Sequence, residues 1–195
     1  MKILRWTSMV VLFGAVAIVQ AAALDDVTAG VKAMQRGDND EAIRLYTKAL
    51  ASGELPPADQ ALLTTMRGNL WFGKKDNDRA IADYDQAIKL NPNMAETYNN
   101  RANAWYNKKD YDRAIADFNE AIRLKPVYPD AFRNRGDSWQ HKKDYGRAIA
   151  DYNETIRLSP KDANAFNNRG GAKERNGDAK GAEADYARAR ELGYR

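Results

Sequence analysis

The side chains that most often perform chemistry in proteins are scarce in this sequence. His141 is the only histidine and cysteine is absent, so the ligand sets that usually hold zinc cannot be assembled. Carboxylates are plentiful, but they recur at a constant spacing, whereas a catalytic pair is expected at one place only. Gly170 and Gly171 lie inside a periodic segment and do not belong to a phosphate-binding loop. The sequence therefore predicts no enzyme activity, no cofactor and no metal site, and a solvated surface imidazole at His141.

A recurring set of arginines and aspartates offers ionic chemistry instead. The arginines recur with one constant period at Arg67, Arg101, Arg135 and Arg169, and the aspartates with the same period at Asp83, Asp117, Asp151 and Asp185. Nearer the N-terminus the matching residues are Ala29 and Leu45, so both charges are present or both are absent. One hypothesis is a ladder of Arg–Asp pairs that fixes how the helices pack. The alternative is that both side chains are solvated and stabilise the fold little.

These charges are positioned by a repeat whose clearest copy runs from Ala95 to Pro126. An alanine marks each copy, at Ala42, Ala80, Ala114, Ala148 and Ala182, and the last four are evenly spaced. Small residues let two helices approach closely, while the rings between them fill the gaps. We therefore predict five helix–turn–helix repeats, at residues 23–60, 61–94, 95–128, 129–162 and 163–195.

Polar residues and prolines predict where the helices of each repeat begin and end. Four aspartates can each accept a hydrogen bond from the free amides of a second helix, and they are Asp76, Asp110, Asp144 and Asp178. Three prolines end second helices, at Pro92, Pro126 and Pro160. Two short helices cannot bury their apolar faces alone, so the repeats must stack on one another.

The last repeat differs from the others in the way that the end of a stack requires. Isoleucines recur at one position of the second helix, at Ile43, Ile81, Ile115 and Ile149, where the fifth repeat has Glu183. A second apolar position, at Leu50, Ile88, Ile122 and Ile156, becomes Arg190. We therefore predict that the last helix closes the stack with a polar face.

The N-terminal segment, residues 1–23, has the composition of a secretory signal peptide. A basic start precedes an apolar run at residues 9–19, and the alanines at residues 21–23 offer a small-residue cleavage site. We predict cleavage after Ala23, with Ala21 as the second choice, and hence an exported, periplasmic protein. An uncleaved anchor is the alternative, because residues 7–24 reach the ~18 residues at which a spanning helix becomes plausible.

Composition excludes several classes of partner. The formal net charge is +4, and loss of Lys2 and Arg5 with the leader leaves 29 basic residues against 27 acidic ones. So small a surplus does not indicate binding to nucleic acid or strong attraction to an anionic membrane. Without cysteine, the chain forms no disulfide and carries no lipidated cysteine in any compartment.

Three signature positions of the repeat resemble those of the tetratricopeptide repeat (TPR) family. The small residue of the first helix is Gly30, Gly68, Ala102, Gly136 or Gly170, and the ring of the second helix is Tyr46, Tyr84, Phe118, Tyr152 or Tyr186. The closing proline is the third signature, and all five copies are in phase. The resemblance implies an all-α protein, a right-handed α-solenoid of five helix–turn–helix TPR repeats after the signal peptide.

The resemblance also implies a concave groove lined by the first helices. In this sequence the groove positions are Thr65, Asn69, Phe72, Asn99, Asn103, Tyr106, Arg133, Asp137, Gln140 and Asn167. Amides and rings can bind an extended peptide backbone and stack on its side chains without a formal charge. The alternative is that these asparagines only solvate the groove.

Lysine doublets indicate a second surface, along the turns between helices. They are Lys74–Lys75, Lys108–Lys109 and Lys142–Lys143, and each is followed by an arginine, at Arg79, Arg113 and Arg147. We expect this basic edge to keep the protein soluble. Docking of an acidic envelope polymer or protein is the alternative.

What the family resemblance implies is a non-enzymatic protein–protein interaction module. We expect an adaptor or scaffold in the cell envelope that binds a peptide segment of a partner in its groove. The expected partner is a protein or peptide, with membrane contact only if the leader is retained. The alternative is a membrane-anchored structural scaffold that associates with itself.

Overall fold

Residues 21–194 are described by the computed structural model of the protein. All regular secondary structure in this range is helical, as the repeat predicts. The predicted leader, residues 1–23, lies almost wholly outside the described residues, so its cleavage stays a prediction. By its internal contacts the chain divides into an N-terminal half, Met1–Pro92, and a C-terminal half, Asn93–Arg195.

Four helices are described in the N-terminal half. They are α1 at residues 21–35, α2 at Asn39–Ala51, α3 at Pro57–Gly73 and α4 at Asn77–Leu90. An apolar core joins α1, α2 and α3 and includes Ala33, Tyr46 and Leu63. Helix α3 also packs along α4.

The second repeat begins earlier than its alignment predicts. Helix α3 begins at Pro57, one helical turn before Ala61, where the repeat alignment starts that copy. Proline is favoured at the first position of a helix, because its fixed backbone angle suits the helix and its missing amide has no partner there anyway. The additional residues of this connection are therefore used as an extra first turn of α3 and not as a longer loop.

Six helices form the described part of the C-terminal half. They are α5 at Ala95–Asn107, α6 at Tyr111–Leu124, α7 at Pro129–His141, α8 at Tyr145–Leu158, α9 at Ala163–Arg175 and α10 at Ala179–Glu191. Consecutive helices pack on each other, and α7 also contacts both α5 and α9. The three first helices of these repeats therefore lie side by side.

Helix ends follow the predicted signals. Each predicted aspartate cap accepts a hydrogen bond from the backbone N–H three residues later, as Asp110 does from Arg113 at 3.1 Å. The second helices α4, α6 and α8 end at Leu90, Leu124 and Leu158, each two residues before a proline. Local side-chain chemistry therefore determines the length of these helices.

A close contact between a small residue and a ring holds each pair of helices together. A Cβ atom added to Gly136 would lie 2.8 Å from Cε1 of Tyr152, closer than two carbon atoms can approach. In the third repeat the same contact is made by Ala102 and Phe118, both fully buried. The ring therefore fills the space that the small residue leaves.

The Arg–Asp ladder is present, and each pair lies within one repeat. Arg135 donates two parallel hydrogen bonds to Asp151, from Nε at 2.9 Å and from Nη2 at 2.6 Å. The same paired geometry recurs for Arg67 with Asp83, Arg101 with Asp117, and Arg169 with Asp185. All four aspartates are buried, so the prediction of a packing role is confirmed over that of two solvated charges.

The third guanidinium nitrogen of two of these arginines donates a hydrogen bond to a residue of the preceding repeat. Nη1 of Arg135 donates to Asn119 at 2.6 Å, and Nη1 of Arg169 donates to Asn153 at 2.7 Å. Each of these two guanidinium groups therefore holds its own helix pair and the neighbouring second helix at once.

The turn between the two helices of a repeat contains a strained residue. Lys75, Lys109 and Lys143 have backbone φ angles of 63°, 63° and 62°, a region that disfavours side chains with a Cβ. Glycine fills the same position in the first and fifth repeats, as Gly37 and Gly177. The lysines therefore occupy a conformation that glycine adopts at lower cost.

Isoleucines of the second helices lie between neighbouring repeats as predicted. Ile115 is 6% exposed, and Ile149 packs against a cluster that includes Ala172 of α9. Glu183 and Arg190 at the matching positions of α10 are exposed. The last helix thus presents charge where the earlier helices present apolar surface. None of the helices within residues 21–194 is long and apolar enough to cross a bilayer.

Candidate functional site

The predicted groove residues of the N-terminal half lie along α3. Thr65 is buried, and its hydroxyl donates to the carbonyl oxygen of Ala61 at 2.9 Å. The amide oxygen of Asn69 accepts from the hydroxyl of Tyr84 at 2.8 Å, and Phe72 is half-buried. Thr65 is therefore used inside the fold, while Asn69 and Phe72 remain partly accessible.

On α5 the predicted residues differ in their accessibility. Asn99 is buried, and its amide nitrogen donates to Asn100 at 3.3 Å. Asn103 and Tyr106, one and two turns further on, are half-buried and reach the surface. Of the three, Asn103 and Tyr106 are the side chains that a ligand can contact.

A row of polar side chains connects the first helices of the C-terminal half. Asn134 donates from Nδ2 to Oδ1 of Asn103 at 3.0 Å, and Asn168 donates from Nδ2 to Oδ1 of Asp137 at 2.9 Å. Both bonds join residues 31 positions apart, so the same contact is made from α7 to α5 and from α9 to α7. We call Asn103, Asn134, Asp137 and Asn168 the amide row.

Rings of the second helices support this row from behind. The hydroxyl of Tyr152 donates to Oδ1 of Asp137 at 2.7 Å and to Oε1 of Gln140 at 3.2 Å. The third repeat has Phe118 at this position and so lacks the hydroxyl. Among the described residues, the amide nitrogen of Asn103 has no hydrogen-bond partner, which leaves it as a donor for a ligand.

The remaining predicted groove residues are held by neighbours. Arg133 donates to Asp162 at 2.7 Å and to Asp130 at 2.8 Å, so its charge is paired. Asn167 donates weakly to Asn168, at 3.4 Å. Both side chains are half-buried, and they border the amide row without extending it.

The electrostatics of the amide row favour a neutral ligand backbone. Burial raises the pKa of Asp137, although hydrogen bonds from Tyr152 and Asn168 oppose the rise. Burial, with the nearby Asp137 carboxylate, raises the pKa of the Tyr106 hydroxyl to about 12. The row therefore presents amides and un-ionised hydroxyls around one shielded carboxylate, a set that suits peptide N–H and C=O groups.

An aromatic cluster at the end of this face was not expected from the sequence. The His141 ring stacks on Tyr111 with centroids 4.8 Å apart and planes 6° apart, and Tyr106 meets both rings edge-on. The prediction of a solvated surface imidazole therefore misses two partners. The separation of Tyr111 and His141 along the chain is shorter than the repeat, so only the diagonal geometry of neighbouring helices brings them together.

Most of the basic edge is neutralised inside the protein. Lys74 donates to Asp40 at 2.5 Å, and Lys142 pairs with Asp112. The arginines that follow these two doublets lie over tryptophan rings, Arg79 over Trp71 at 4.6 Å and Arg147 over Trp139 at 3.9 Å. The first lysine of each of these two doublets and the arginine that follows thus have structural roles.

Two surface depressions border the aromatic cluster. One of about 210 Å³ is lined by Gln140, His141, Lys143 and Arg175. The other, of about 370 Å³, is lined by Lys108, Lys109, Asp110, Tyr111, Asp112 and Lys142. Over residues 21–194, histidines and carboxylates form no group of three that could hold a metal ion.

The same repeat architecture is found in known proteins. The profile of the tetratricopeptide repeat family matches residues 65–129, 110–163 and 134–193. A crystal structure of MamA protein superimposes with a TM-score of 0.81 at 25% identity, over 88% of this chain and 91% of that one. The all-α fold class, an α-solenoid of helix–turn–helix repeats, is thereby confirmed.

Two further structures resemble the chain. BtubC (BKLC) from P. vanneervenii has a TM-score of 0.77 at 21% identity, over 89% of this chain and 80% of that one. The first TPR of Spaghetti (RPAP3), bound to the HSP90 peptide SRMEEVD, has a TM-score of 0.61 at 26% identity. This second likeness covers 62% of this chain and 95% of that one.

Proposed function

Since this chain belongs to the tetratricopeptide repeat family, we propose that it is an adaptor whose amide row holds an extended segment of a partner protein. The fold is that of a protein–protein interaction scaffold, and proteins built from it are generally not catalytic. The mechanism is non-covalent, because a preformed face lowers the cost of ordering the protein when the segment binds.

The observation that carries this proposal is the unused amide donor of Asn103. Its oxygen is held by Asn134 at 3.0 Å, which fixes the direction of the side chain. Tyr106 follows three residues later on the same face of α5, and the amide nitrogen of Asn103 can donate to a backbone carbonyl of the segment. A known peptide complex supports the mode of binding, because the RPAP3 relative was solved with an HSP90 peptide bound.

Selection from random peptides tests the proposal directly. A phage-displayed library of random linear peptides, panned against the protein, should yield binders whose affinity can be measured by calorimetry. The double variant Asn103→Ala and Tyr106→Ala should weaken these binders about tenfold or more, because a hydrogen bond and a ring contact are lost together.

The control is a double variant on the second helix α4. Gln86→Ala and Lys89→Ala remove an exposed amide and a long exposed side chain away from the amide row, and should leave the affinity unchanged. Thermal unfolding of both variants shows that each is folded. Equal affinity of the groove variant and the unaltered protein for every selected peptide would place the binding face elsewhere.

We further propose that the protein is exported and works in the periplasm. The proposal is supported by the basic start, the apolar run and the small residues of positions 1–23. Ala23 is buried in the core of α1 and α2, so cleavage after Ala21 preserves the fold better than cleavage after Ala23. Mass spectrometry of the mature N-terminus from fractionated cells tests both sites, and an intact leader would indicate a membrane anchor.

A self-associating scaffold is the second candidate, favoured by an apolar surface in the N-terminal half. Leu24 and Leu62 are 49% and 54% exposed and line one depression with Val27, Leu55 and Met66. Exposed apolar surface of this kind is typical of protein contacts. Light scattering of the unaltered protein and of a Leu24→Ser, Leu62→Ser variant decides: a shared monomer mass excludes this candidate.

A further inference from the structure

The smaller depression of the C-terminal half collects nitrogen donors without any acid. It lies where α7 and α9 end, and its four lining residues are Gln140, His141, Lys143 and Arg175. Lys143 and Arg175 are cations, and the other two side chains carry further N–H groups. At about 210 Å³, the depression has room for a carboxylate group.

The two cations of this depression have no acidic partner. The acids beside it on α7 and α9 are hydrogen-bonded to neutral donors and keep their charges: Asp137 accepts from Tyr152 and Asn168, and Glu174 accepts from the hydroxyl of Tyr186 at 2.9 Å. Within residues 21–194, neither Lys143 nor Arg175 forms an ion pair. An anion that enters the depression would therefore meet two cations that are not bound to a carboxylate.

One wall of the depression is held in place by neighbouring side chains. The His141 ring is held by its stack on Tyr111 and by the edge of Tyr106. The amide oxygen of Gln140 accepts from the hydroxyl of Tyr152 at 3.2 Å. Both side chains that α7 contributes to the depression are therefore positioned by contacts within the protein.

We propose that this depression binds the carboxylate of an aspartate or glutamate side chain in the partner segment that lies on the amide row. The inference rests on the proposed function and adds the chemistry of the partner: an extended segment with an acidic residue at one end of its contact. Arg175 and Lys143 donate to the carboxylate oxygens, and His141 supplies a third donor.

The single histidine of the chain provides a direct reporter. In a protein prepared without a histidine tag, the ring of His141 gives the only histidine side-chain signals in a nuclear magnetic resonance spectrum. We expect a tetraglutamate peptide with blocked ends to shift these signals, and a tetraglutamine peptide to leave them in place. The variant Lys143→Gln with Arg175→Gln should weaken the response about tenfold or more.

A control variant removes the same charge from another surface. Arg157→Gln with Lys161→Gln lowers the net charge equally and should keep the full response to tetraglutamate. An equal loss in both variants would show nonspecific attraction and overturn the proposal. So would equal shifts with the glutamate and glutamine peptides, or an inorganic phosphate response as strong as that to tetraglutamate.

The two proposals fail in different ways. If panning yields no peptide whose affinity depends on Asn103, the groove function is wrong, whatever tetraglutamate does. If panning yields such peptides and tetraglutamate leaves the His141 signals unchanged in the unaltered protein, the groove function stands and the carboxylate site is wrong.

Discussion

Asp137 is a buried acid held by neutral donors from two different helices. Tyr152 and Asn168 both donate to it, and neither neutralises its charge. Burial raises its pKa for this reason, while the buried Asp185, bonded by Arg169 and Lys173, has its pKa lowered because the two cations outweigh burial. The two acids should therefore respond to pH in opposite directions.

The substitution Asp137→Asn should remove a destabilising effect on the folded protein that grows with pH. The carboxyl is neutral in folded and unfolded chains at pH well below about 4, and ionised in both above its raised folded pKa. Because ionisation is penalised only in the folded chain, its contribution to stability falls as pH rises through this window. Urea unfolding of both proteins from acid to neutral pH should favour Asp137→Asn progressively more.

The variant Asp185→Asn is the comparison for that experiment, because Arg169 and Lys173 hold the pKa of this buried carboxyl below its usual range. The contribution of Asp185 to stability grows as pH rises through the carboxyl range, so its replacement should cost progressively more over the same pH range. A difference between Asp137→Asn and the unaltered protein that stays constant with pH would show that burial does not raise the pKa of Asp137.

A glycine in the strained turn should stabilise the protein. Lys109 has φ at 63°, and a left-handed residue with a Cβ costs roughly 1–2 kcal/mol. Glycine avoids this cost but gains freedom in the unfolded chain, so Lys109→Gly should raise the free energy of unfolding by about 0.5–1 kcal/mol. Chemical denaturation measures the free energy of unfolding of each variant. Lys108 is in a right-handed conformation with φ at −79°, so Lys108→Gly should lower the free energy of unfolding.

Single side chains are where the sequence predicts least. Thr65 and Asn99 occupy the same position of neighbouring repeats, and both are buried, whereas the alignment predicts them in the groove. The exposure of a helical side chain depends on how far the adjacent helix reaches, and a repeating pattern of letters does not contain that distance. The stack of His141 on Tyr111 was missed for the same reason.

At the scale of helix pairs, the small residue and the ring change together. Tyr84 and Tyr152 face Gly68 and Gly136, and their hydroxyls reach the first helix. Phe118, which has no hydroxyl, faces Ala102. The tyrosine rings leave no room for a methyl group on the facing small residue, whereas the phenylalanine does.

Exchanging both residues of the fourth repeat should therefore cost less than the separate changes predict. Gly136→Ala alone should destabilise by about 1–3 kcal/mol through overpacking. Tyr152→Phe alone should cost about 1–3 kcal/mol, because Asp137 loses a donor. The double variant copies the third repeat, so urea unfolding should show less than the sum of the two losses. Strict additivity would mean that ring position and hydroxyl are unrelated.

A double-mutant cycle on Arg135 and Asp151 should show strong coupling. The two parallel hydrogen bonds lie in a buried setting, so we expect an interaction free energy of roughly 1–3 kcal/mol from the unfolding of both single variants and the double variant. The exposed pair of Arg157 with Glu154, one turn apart on α8, is the matched control and should give about 0.3–0.5 kcal/mol. Equal coupling in both cycles would contradict a role in packing.

Helix boundaries were predictable because their causes are local. An aspartate cap or a proline acts on the helix in which it stands, so Asp110 and Pro126 place the ends of α6 whatever the surrounding fold. The start of α3 was misplaced, because Pro57 can end a loop or begin a helix. Which of the two Pro57 does depends on how the additional first turn of α3 packs against the rest of the fold.

For the whole molecule, the period of the sequence was sufficient to predict the fold class. Each repeat alone has too little apolar contact to be stable, so its face must be covered by the next one. The final helix pair has charges instead, at Glu183 and Arg190, and both are exposed. The periplasmic location stays a prediction from the composition of residues 1–23.

Removal of the fifth repeat should expose the surface that it covers. A chain that ends at Asp162 uncovers Ile149 and its neighbours on α8, and should therefore self-associate in sedimentation experiments. Adding Ile149→Glu and Ile156→Arg to the shortened chain, in imitation of α10, should restore a monodisperse species. If the shortened chain stays monodisperse without these changes, the cover supplied by α9 and α10 is not needed.

The polar face of α10 also bears on how such a gene can grow. A duplicated copy of residues 129–162, inserted directly after Asp162, would meet on each side the same kind of apolar surface that the original meets. The same copy attached beyond α10 would face Glu183 and Arg190 and find nothing to rest on. Lengthening by tandem duplication is therefore tolerated between repeats whose facing surfaces are apolar, and not against the polar face of α10.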